Sequence, residues 1–281
     1  MGSNRFLSAN ALMEKDYFDV EPISRRIKVY ELPENMNEER MKELDTAAAE
    51  MNCDKLIFYV RAQTDEEEIV RELSAKLEGE IKGFFRGEDT KIYAKYLDPD
   101  RNQPDSKNVI SRVRELDLTS HTIKEGLQEG YTMTWGKEDQ AEEMANFYKS
   151  IFSKYPTPIH EPDYIVKMLN DNVHFSLIYH DGKIVSACSA DIFSDYGAAE
   201  FTDCATLPAY RGQGLLSHQY PTLQEKMKDL GIKTMYSYTR AISMGMNIIT
   251  AQQGFTYGGC MVQNSMIGTG LEDMNIWYKQ L

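Results

Sequence analysis

Residues 199–231 are the stretch of this chain that most clearly indicates a chemical function. Their pattern predicts a strand, a glycine-bearing turn and a helix. The turn consists of Arg211, Gly212, Gln213 and Gly214. Backbone N–H groups at a helix start are unpaired, and the helix dipole adds partial positive charge there, so such a turn attracts anions. The two glycines let the backbone approach a ligand that a side chain would obstruct. The pattern predicts a site for a phosphate-bearing ligand.

The overall charge limits the partners that such a turn could serve. The chain has 281 residues and a formal net charge of −13, from 44 Asp and Glu against 31 Lys and Arg. Nucleic acids and anionic membranes require clustered basic residues, so this acidity argues against both. It suits a small cationic substrate, although surface solvation alone also explains it. We therefore expect a small-molecule ligand, no nucleic acid and no membrane.

Cysteine and histidine positions argue against disulfides and a metal site. The four cysteines are widely spaced without a CxxC pair, and three lie in apolar runs, as buried thiols in a reducing compartment do. The five histidines show no ligand spacing, and Pro162 excludes a helical HExxH motif after His160. No run approaches the roughly 20 apolar residues of a membrane span, and the start lacks a signal-peptide core. We expect a cytoplasmic protein without a metal.

Hydrophobic periodicity predicts the elements that position the turn. Over residues 130–281 it indicates the order β-α-α-β-β-β-turn-α-β-α-β-β, and the helix after the turn ends at Gly231. Pro221 falls inside that helix, where proline costs about 3 kcal/mol or bends the axis. This order predicts the α/β class, with strands of both directions in one mixed sheet.

The first half of the chain predicts a smaller α/β domain. Residues 55–61 indicate a buried strand, and residues 65–77 indicate a helix closed by Gly79. Strand, helix, glycine and hairpin follow in the same order near the end of the chain. A degenerate copy without the glycine turn would explain this, and so would chance. Residues 98–108 are rich in proline and aspartate and predict a loop. The predicted organisation is an N-terminal domain at 1–115, a linker or helix at 116–129 and a C-terminal domain at 130–281.

With TLPAYRGQGLL at its centre, the predicted order resembles the GCN5-related N-acetyltransferase (GNAT) family. The family signature is Gln/Arg-x-x-Gly-x-Gly/Ala after a central strand, and residues 211–216 match it except that Leu216 replaces a small residue. The resemblance covers about residues 130–281. It implies a GNAT fold in the C-terminal half, acetyl-CoA as co-substrate and acetyl transfer to an amine.

The resemblance also implies where coenzyme A binds. Its pyrophosphate would lie on the N–H groups of the turn, and its pantetheine arm would pair with the preceding strand, which must splay from its neighbour. Residues of the helix at 243–253 would face the cofactor, although a helix cap and a polar face explain them as well. The predicted cofactor-binding residues are Cys204, Ala205, Thr206, Arg211, Gly212, Gln213, Gly214, Leu215, Leu216, Ser243 and Asn247.

Amine acetylation requires a base, because an alkylamine with a pKa of about 10.4 is protonated at neutral pH. Glu200 is the predicted base, since it lies four residues before Cys204 on the same face of a regular strand, where histone-type members carry their glutamate. Asp203 would face the opposite way unless the strand bulges, and Asp191 lies beside the neighbouring turn. Asp203 and Asp191 are the candidate substrate-binding residues. Solvation is the alternative role for each carboxylate.

The acid that protonates the leaving thiolate is not identified by the sequence. The family often uses a tyrosine four residues before a Gly-Phe pair, and Thr250 holds that position here. Tyr236, Tyr238 and Tyr257 are alternatives without a spacing argument.

Over its whole length the chain resembles the β-lysine N6-acetyltransferases within the GNAT family. The likeness is carried by KLIFYVR, EFTDCATLPAYRGQGLLS, SMGMNIITAQQGF and LEDMNIWYK. It implies transfer to the N6 amine of β-lysine, giving the compatible solute Nε-acetyl-β-lysine. The alternatives are another small amine, a protein lysine, or a non-catalytic acyl-CoA-binding module. The sequence predicts no particular oligomeric state.

Overall fold

The computed structural model describes residues 18–116, 118, 126–268 and 270–281 of the chain. Twelve strands occur in this part: β1 (Phe18–Glu21), β2 (Arg26–Val29), β3 (Lys55–Arg61), β4 (Lys76–Phe85), β5 (Glu88–Tyr96), β6 (Tyr131–Trp135), β7 (Val173–His180), β8 (Lys183–Phe193), β9 (Ala198–Thr206), β10 (Thr234–Arg240), β11 (Thr256–Ile267) and β12 (Gly270–Gln280). Its α-helices are α1 (Glu38–Glu50), α2 (Asp65–Glu72), α3 (Ile110–Arg114), α4 (Ala141–Ile151), α5 (Pro162–Asn170), α6 (Leu215–Asp229) and α7 (Met244–Gln252).

The strands form one mixed sheet in the order β1-β2-β3-β5-β4-β11-β12-β10-β9-β8-β7-β6. The predicted α/β class is confirmed, and the predicted order of elements after residue 130 matches β6 to β12 with α4 to α7. The linker predicted at 116–129 falls between α3 and β6, and its residues 117 and 119–125 lie outside the described residues. No helix in the described part of the chain combines the length and hydropathy needed to cross a bilayer.

The two halves of the sheet share one pairing pattern. In the first half β2 is parallel to β3, and β3, β5 and β4 then pair antiparallel. In the second half β9 is parallel to β10, and β10, β12 and β11 pair antiparallel. Helix α2 follows β3 as α7 follows β10. The weak internal repeat of the sequence corresponds to this shared pattern.

The halves meet where two glycines oppose each other. Gly79 on β4 pairs with Gly259 on β11, and a Cβ atom on Gly79 would lie 2.6 Å from the carbonyl oxygen of Gly258. Glycine is required because the two backbones approach too closely for a side chain. The prediction that Gly79 closes a helix is wrong, since α2 ends at Glu72 and Gly79 lies within β4.

The sheet curls so that both halves contribute to one inner core. Phe84 of β4 and Tyr236 of β10 pack there with ring centroids 5.5 Å apart. The turn between β4 and β5 closes the curl, because the Arg86 backbone N–H donates to the Tyr196 carbonyl oxygen at 2.6 Å. The curl brings β1 and β2, at one end of the strand order, to the end of β8 and the middle of β9.

Helices α1, α2, α6 and α7 cover the outer face of the sheet, whereas α4 and α5 pack on the other face of β7, β8 and β9. Helix α1 begins where the Asn37 side chain accepts a hydrogen bond from the Arg40 backbone N–H at 3.0 Å, which satisfies one of the unpaired donors of a helix start. Helix α6 packs Tyr220 on Phe201 of β9, with ring centroids 3.8 Å apart, and continues through Pro221. Burial of these apolar faces holds β9 and the turn before α6 in place.

Arg101 connects the two halves through buried hydrogen bonds. It lies in the segment predicted as a loop and is 1% exposed. Its guanidinium donates to the carbonyl oxygens of Ser24 at 2.7 Å, Arg25 at 2.6 Å and Gln263 at 2.8 Å, and it pairs with the Asp54 carboxylate. Gln263 belongs to β11, so this single side chain ties the start of the sheet to its centre.

Candidate active site

Strands β9 and β10 pair at their starts and then diverge. Parallel pairing joins residues 198–200 to residues 234–236, and β9 then continues to Thr206 and β10 to Arg240 without pairing to each other. The predicted splay of this strand from its neighbour is confirmed. Diverging strands leave backbone N–H and C=O groups free to pair with an extended ligand.

A groove of about 500 Å³ runs beside the unpaired end of β9. A Cβ atom on Gly212 or Gly214 would meet no atom within 4 Å, and both residues have a φ of 77°. The turn therefore borders open space, as a binding site for a bulky anion requires. Nine of the predicted cofactor residues line this groove, namely Cys204, Ala205, Thr206, Arg211, Gly212, Gly214, Leu215, Leu216 and Ser243.

Two predicted cofactor residues do not line the groove. The side chain of Gln213 accepts a hydrogen bond from the Tyr131 hydroxyl at 2.6 Å. Asn247 is fully buried, and its side-chain oxygen accepts from the Thr239 hydroxyl at 2.8 Å and from the Trp277 indole N–H at 3.1 Å. The Asn247 side chain therefore fixes α7 to the sheet, because its hydrogen bonds are directed inward.

We expect Gly214→Ala to weaken acetyl-CoA binding about 10-fold or more. A residue with a Cβ at this φ costs roughly 1–2 kcal/mol, and the methyl group would enter the space beside the turn. Isothermal titration calorimetry with acetyl-CoA measures the change. Gly182→Ala is the matched control, because Gly182 has a φ of 71° in the β7–β8 turn and equally open surroundings. Equal affinities in the two variants would show that the turn does not hold the anion.

A second cavity, of about 680 Å³, is lined by Glu200, which does not line the groove. Both halves of the chain form its walls, because β1 and β2 face the end of β8, the middle of β9 and the segment between α4 and α5. Six carboxylates and two basic side chains line it: Asp19, Glu21, Asp191, Asp195, Glu200, Asp203, Arg26 and Lys28. This excess of negative charge favours a cationic ligand.

A passage of about 110 Å³ lies between the cavity and the groove. It shares Glu200 and Asp203 with the cavity and Cys204 and Arg240 with the groove. A ligand in the cavity and a second ligand in the groove can therefore meet at this passage. This arrangement suits a transfer reaction between two substrates.

A bulge in β9 determines which side chains face the passage. The register with β8 shifts there, and Asp203 has a φ of 53°. Asp203 consequently lines the cavity together with Glu200, whereas Cys204 packs against the apolar cluster under α6. Asp203 is expected from the sequence to face away from Glu200 unless the strand bulges, and the strand does bulge. Cys204 still lines the passage together with Glu200.

Glu200 and Asp191 oppose each other on β9 and β8. Within the described residues neither carboxylate has a hydrogen-bonding or ion-pairing partner. Burial raises the pKa of Glu200 to about 7, with Lys28 opposing this rise and Asp191 adding to it. Burial, aided by the charge of Asp203, raises the pKa of Asp191 to about 6. A carboxylate with a pKa near neutrality can accept a proton from a substrate and release it again.

Asp203 differs from these two carboxylates because hydroxyls hold both of its oxygens. The Tyr155 hydroxyl donates to Oδ1 at 2.7 Å, and the Ser189 hydroxyl donates to Oδ2 at 2.5 Å. Burial raises the pKa of Asp203 although both hydrogen bonds oppose this. The engaged oxygens make Asp203 a poorer proton acceptor than Glu200, and they anchor Tyr155 at the passage.

Thr250, at the position where the family often has a tyrosine, is buried. The Thr250 hydroxyl lies 2.6 Å from the Tyr220 hydroxyl, and both side chains are in the core. Among the other tyrosines, Tyr238 lines the passage, Tyr236 lies in the inner core and Tyr257 borders a separate cavity. Tyr238 is the only one of these three alternatives that reaches the place where the two ligands meet.

Comparison with known proteins identifies the class of this chain. A family model described as the acetyltransferase (GNAT) family matches residues 125–246. N-acetyltransferase YodP of Bacillus subtilis (strain 168) is 35% identical over 265 residues, which cover 94% of this chain and 95% of that protein. The chain therefore belongs to the GNAT family and is an acetyl-CoA-dependent N-acetyltransferase.

Two further relatives share a more specific name. The beta-lysine N(6)-acetyltransferase of Methanococcus maripaludis is 28% identical, covering 92% of this chain and 94% of that protein. The protein of the same name from Methanosarcina mazei is 31% identical, covering 73% of this chain and 83% of that protein. Within the GNAT family, this chain is thus similar to β-lysine N6-acetyltransferases over most of its length.

Proposed function

We propose that this chain transfers the acetyl group of acetyl-CoA to the N6 amine of β-lysine and that Glu200 is the general base. The observation that carries the proposal is the carboxylate of Glu200, which has no partner among the residues that the structure describes, has a pKa of about 7 and lies where the cavity meets the groove. The names of two relatives support the choice of β-lysine as substrate. The product, Nε-acetyl-β-lysine, would serve as a cytoplasmic compatible solute.

The proposed reaction uses the groove for the acetyl donor and the cavity for the amine. Acetyl-CoA supplies the acetyl group as a thioester, and the glycine turn would hold its pyrophosphate. Glu200 accepts one proton from the substrate ammonium, which frees the nitrogen lone pair to attack the acetyl carbonyl carbon. The C–S bond breaks as the amide forms, and the second proton lost by the nitrogen neutralises the thiolate. Tyr238 lines the passage, but its hydroxyl lies 2.6 Å from the Tyr59 hydroxyl, so we assign no side chain as the donor to that sulfur.

The charges of the cavity favour a substrate with more than one ammonium group. Glu200 and Asp191 have no partners within the described residues, and they lie opposite each other on neighbouring strands. Two unpaired carboxylates this close repel each other unless a cation lies between or beside them. β-Lysine has two ammonium groups, at N6 and at the β carbon, and one carboxylate.

A substrate panel tests the proposal. We expect kcat/KM to be higher for β-lysine than for α-lysine or spermidine, measured as thiol release from acetyl-CoA, with the acetyl group located on N6 of the product by NMR. Turnover of α-lysine or spermidine without turnover of β-lysine would identify an acetyltransferase for another amine. Acetylation of protein lysines alone would indicate a protein substrate. Acetyl-CoA binding without turnover of any amine would indicate a binding module.

A further inference from the structure

The cavity wall formed by β1 and β2 carries a fixed set of charges. Lys28 Nζ lies 2.5 Å from Glu21 Oε1 and 3.0 Å from Asp19 Oδ2, and an Arg26 guanidinium nitrogen lies 2.5 Å from Glu21 Oε2. Burial alone would raise the pKa of Glu21, but Arg26 and Lys28 hold it at about 2. Burial alone would lower the pKa of Lys28, but Asp19 and Glu21 keep it well above its ordinary value. Glu21 and Lys28 therefore stay charged at neutral pH.

Lys28 and Arg26 differ in how firmly the protein holds their charged groups. The Arg26 guanidinium donates to Glu21 and, on its other side, to the backbone carbonyl oxygen of Asn264 at 2.9 Å. An ammonium has three N–H donors, and within the described residues Lys28 uses its donors on Asp19 and Glu21. One of the three Lys28 donors is thus left for a group in the cavity. Arg26 also donates to the Ser265 hydroxyl at 2.9 Å, so four of its five donors are used on the protein and its guanidinium is held from both sides.

The two walls of the cavity have opposite preferences. Asp191 and Glu200 on the β8–β9 wall attract ammonium groups. On the β1–β2 wall Asp19 and Glu21 balance Arg26 and Lys28, and the remaining donor of Lys28 suits an anion. A polyamine would bring a further positive charge toward Lys28, which is unfavourable. A substrate with a carboxylate at the end remote from its reacting amine complements both walls.

We propose that Lys28 binds the substrate carboxylate and so selects amino acids with a terminal amine over polyamines. This inference rests on the proposed acetylation of an amine at Glu200. Glu21 and Arg26 are positioning residues that hold Lys28 at the cavity. The N-terminal half, which has no glycine turn, then determines specificity for a reaction whose other groups belong to the C-terminal half.

A pair of substrates that differ only in the carboxylate tests the inference. β-Lysine and 1,4-diaminopentane share both amines, and hydrogen replaces the carboxylate in the second compound. We expect Lys28→Met to lower kcat/KM for β-lysine about 10- to 100-fold, as the loss of a charge-assisted hydrogen bond does, mainly through KM. The kcat/KM for 1,4-diaminopentane should stay equal or rise. An equal loss for both substrates, or no loss for β-lysine, would overturn the assignment.

Three controls keep the outcomes distinct. Lys28→Arg should retain the preference for the carboxylate. Lys42→Met on the exposed face of α1 should leave kcat/KM unchanged for both substrates. Unchanged acetyl-CoA affinity in Lys28→Met shows that the fold is intact. If the wild-type protein does not use β-lysine, that failure concerns the proposed function. The same comparison with α-lysine and 1,5-diaminopentane then tests Lys28 separately. A wild-type preference for the diamine in both pairs would overturn the role of Lys28.

Discussion

Replacing Glu200 with Gln is expected to lower kcat by about 10²-fold or more at neutral pH, the usual contribution of a general base. Gln keeps the shape of the side chain but cannot accept the ammonium proton. Acetyl-CoA affinity should change little, because Glu200 lines the cavity and the passage and not the groove. Glu225→Gln on the exposed face of α6 is the control and should retain wild-type turnover.

The pH profile separates a base from a merely nearby carboxylate. Glu200 acts when deprotonated, so the wild-type rate should rise as pH passes through its pKa of about 7 and then level off. The Glu200→Gln variant should lack this inflection. Identical profiles in the two proteins would remove Glu200 from the mechanism. Steady-state thiol release at saturating acetyl-CoA across the neutral range provides the measurement.

The same substitution should stabilise the fold above neutral pH. The pKa of Glu200 is about 7 in the folded protein, above the ordinary value of 4.5, so between these values the unfolded chain loses a proton that the folded chain keeps. Stability therefore falls as pH rises through this window, and the loss persists above it. Gln avoids this loss. We expect a higher Tm for Glu200→Gln than for wild type at alkaline pH and a much smaller difference at acidic pH, below both pKa values.

Arg101→Met is expected to lower the free energy of unfolding by about 3–5 kcal/mol, the range for breaking a buried ionic network by removing one partner. The substitution leaves the carbonyl oxygens of Ser24, Arg25 and Gln263 without this donor. Asp54 keeps its ion pair with Arg25 at 3.0 Å, which limits the loss. Urea unfolding monitored by circular dichroism measures the change.

Arg71→Met is the matched control for this prediction. Arg71 lies on the exposed side of α2 in the same half of the chain, so its replacement should change stability by about 0.5 kcal/mol or less. A loss in Arg101→Met as small as in the control would show that Arg101 does not hold the halves together.

The elements were largely predictable from sequence because their signals are local. The strand at residues 55–61 and the order after residue 130 follow from apolar runs and helical periodicity, and both appear in the structure. Gly79 was misassigned because glycine ends helices and also permits close approach of strands. Only its pairing with Gly259, far along the chain, distinguishes these roles.

The site was predictable only in part, because its geometry depends on contacts between distant residues. The glycine turn and the end of β9 line the groove as expected, since one continuous stretch forms them. The bulge at Asp203 reverses the alternation of β9, and no residue type marks it. Asn247 resembled a ligand contact at a helix start, but its partners Thr239 and Trp277 draw it into the core.

The role of the first half was the least predictable feature. Glu21 ends β1 and Lys28 lies in β2, and nothing in the residue types near them indicates a ligand site. They line the cavity because the curled sheet carries β1 and β2 to β8 and β9. Such a placement depends on the twist and closure of the entire sheet, which sequence periodicity does not encode.

The central position of β11 and β12 also has a consequence for synthesis on the ribosome. These are the last strands to emerge, yet they stand at the centre of the strand order, where the second half meets the first. The aromatic inner face of the nascent chain therefore stays uncovered until translation is nearly complete, and at about 5–20 residues per second this exposure lasts for many seconds. Folding must then close contacts between residues as far apart as Gly79 and Gly259, a topology associated with slow folding. We expect newly made chains to engage chaperones, and chains truncated before β11 to be degraded instead of accumulating as a folded first half.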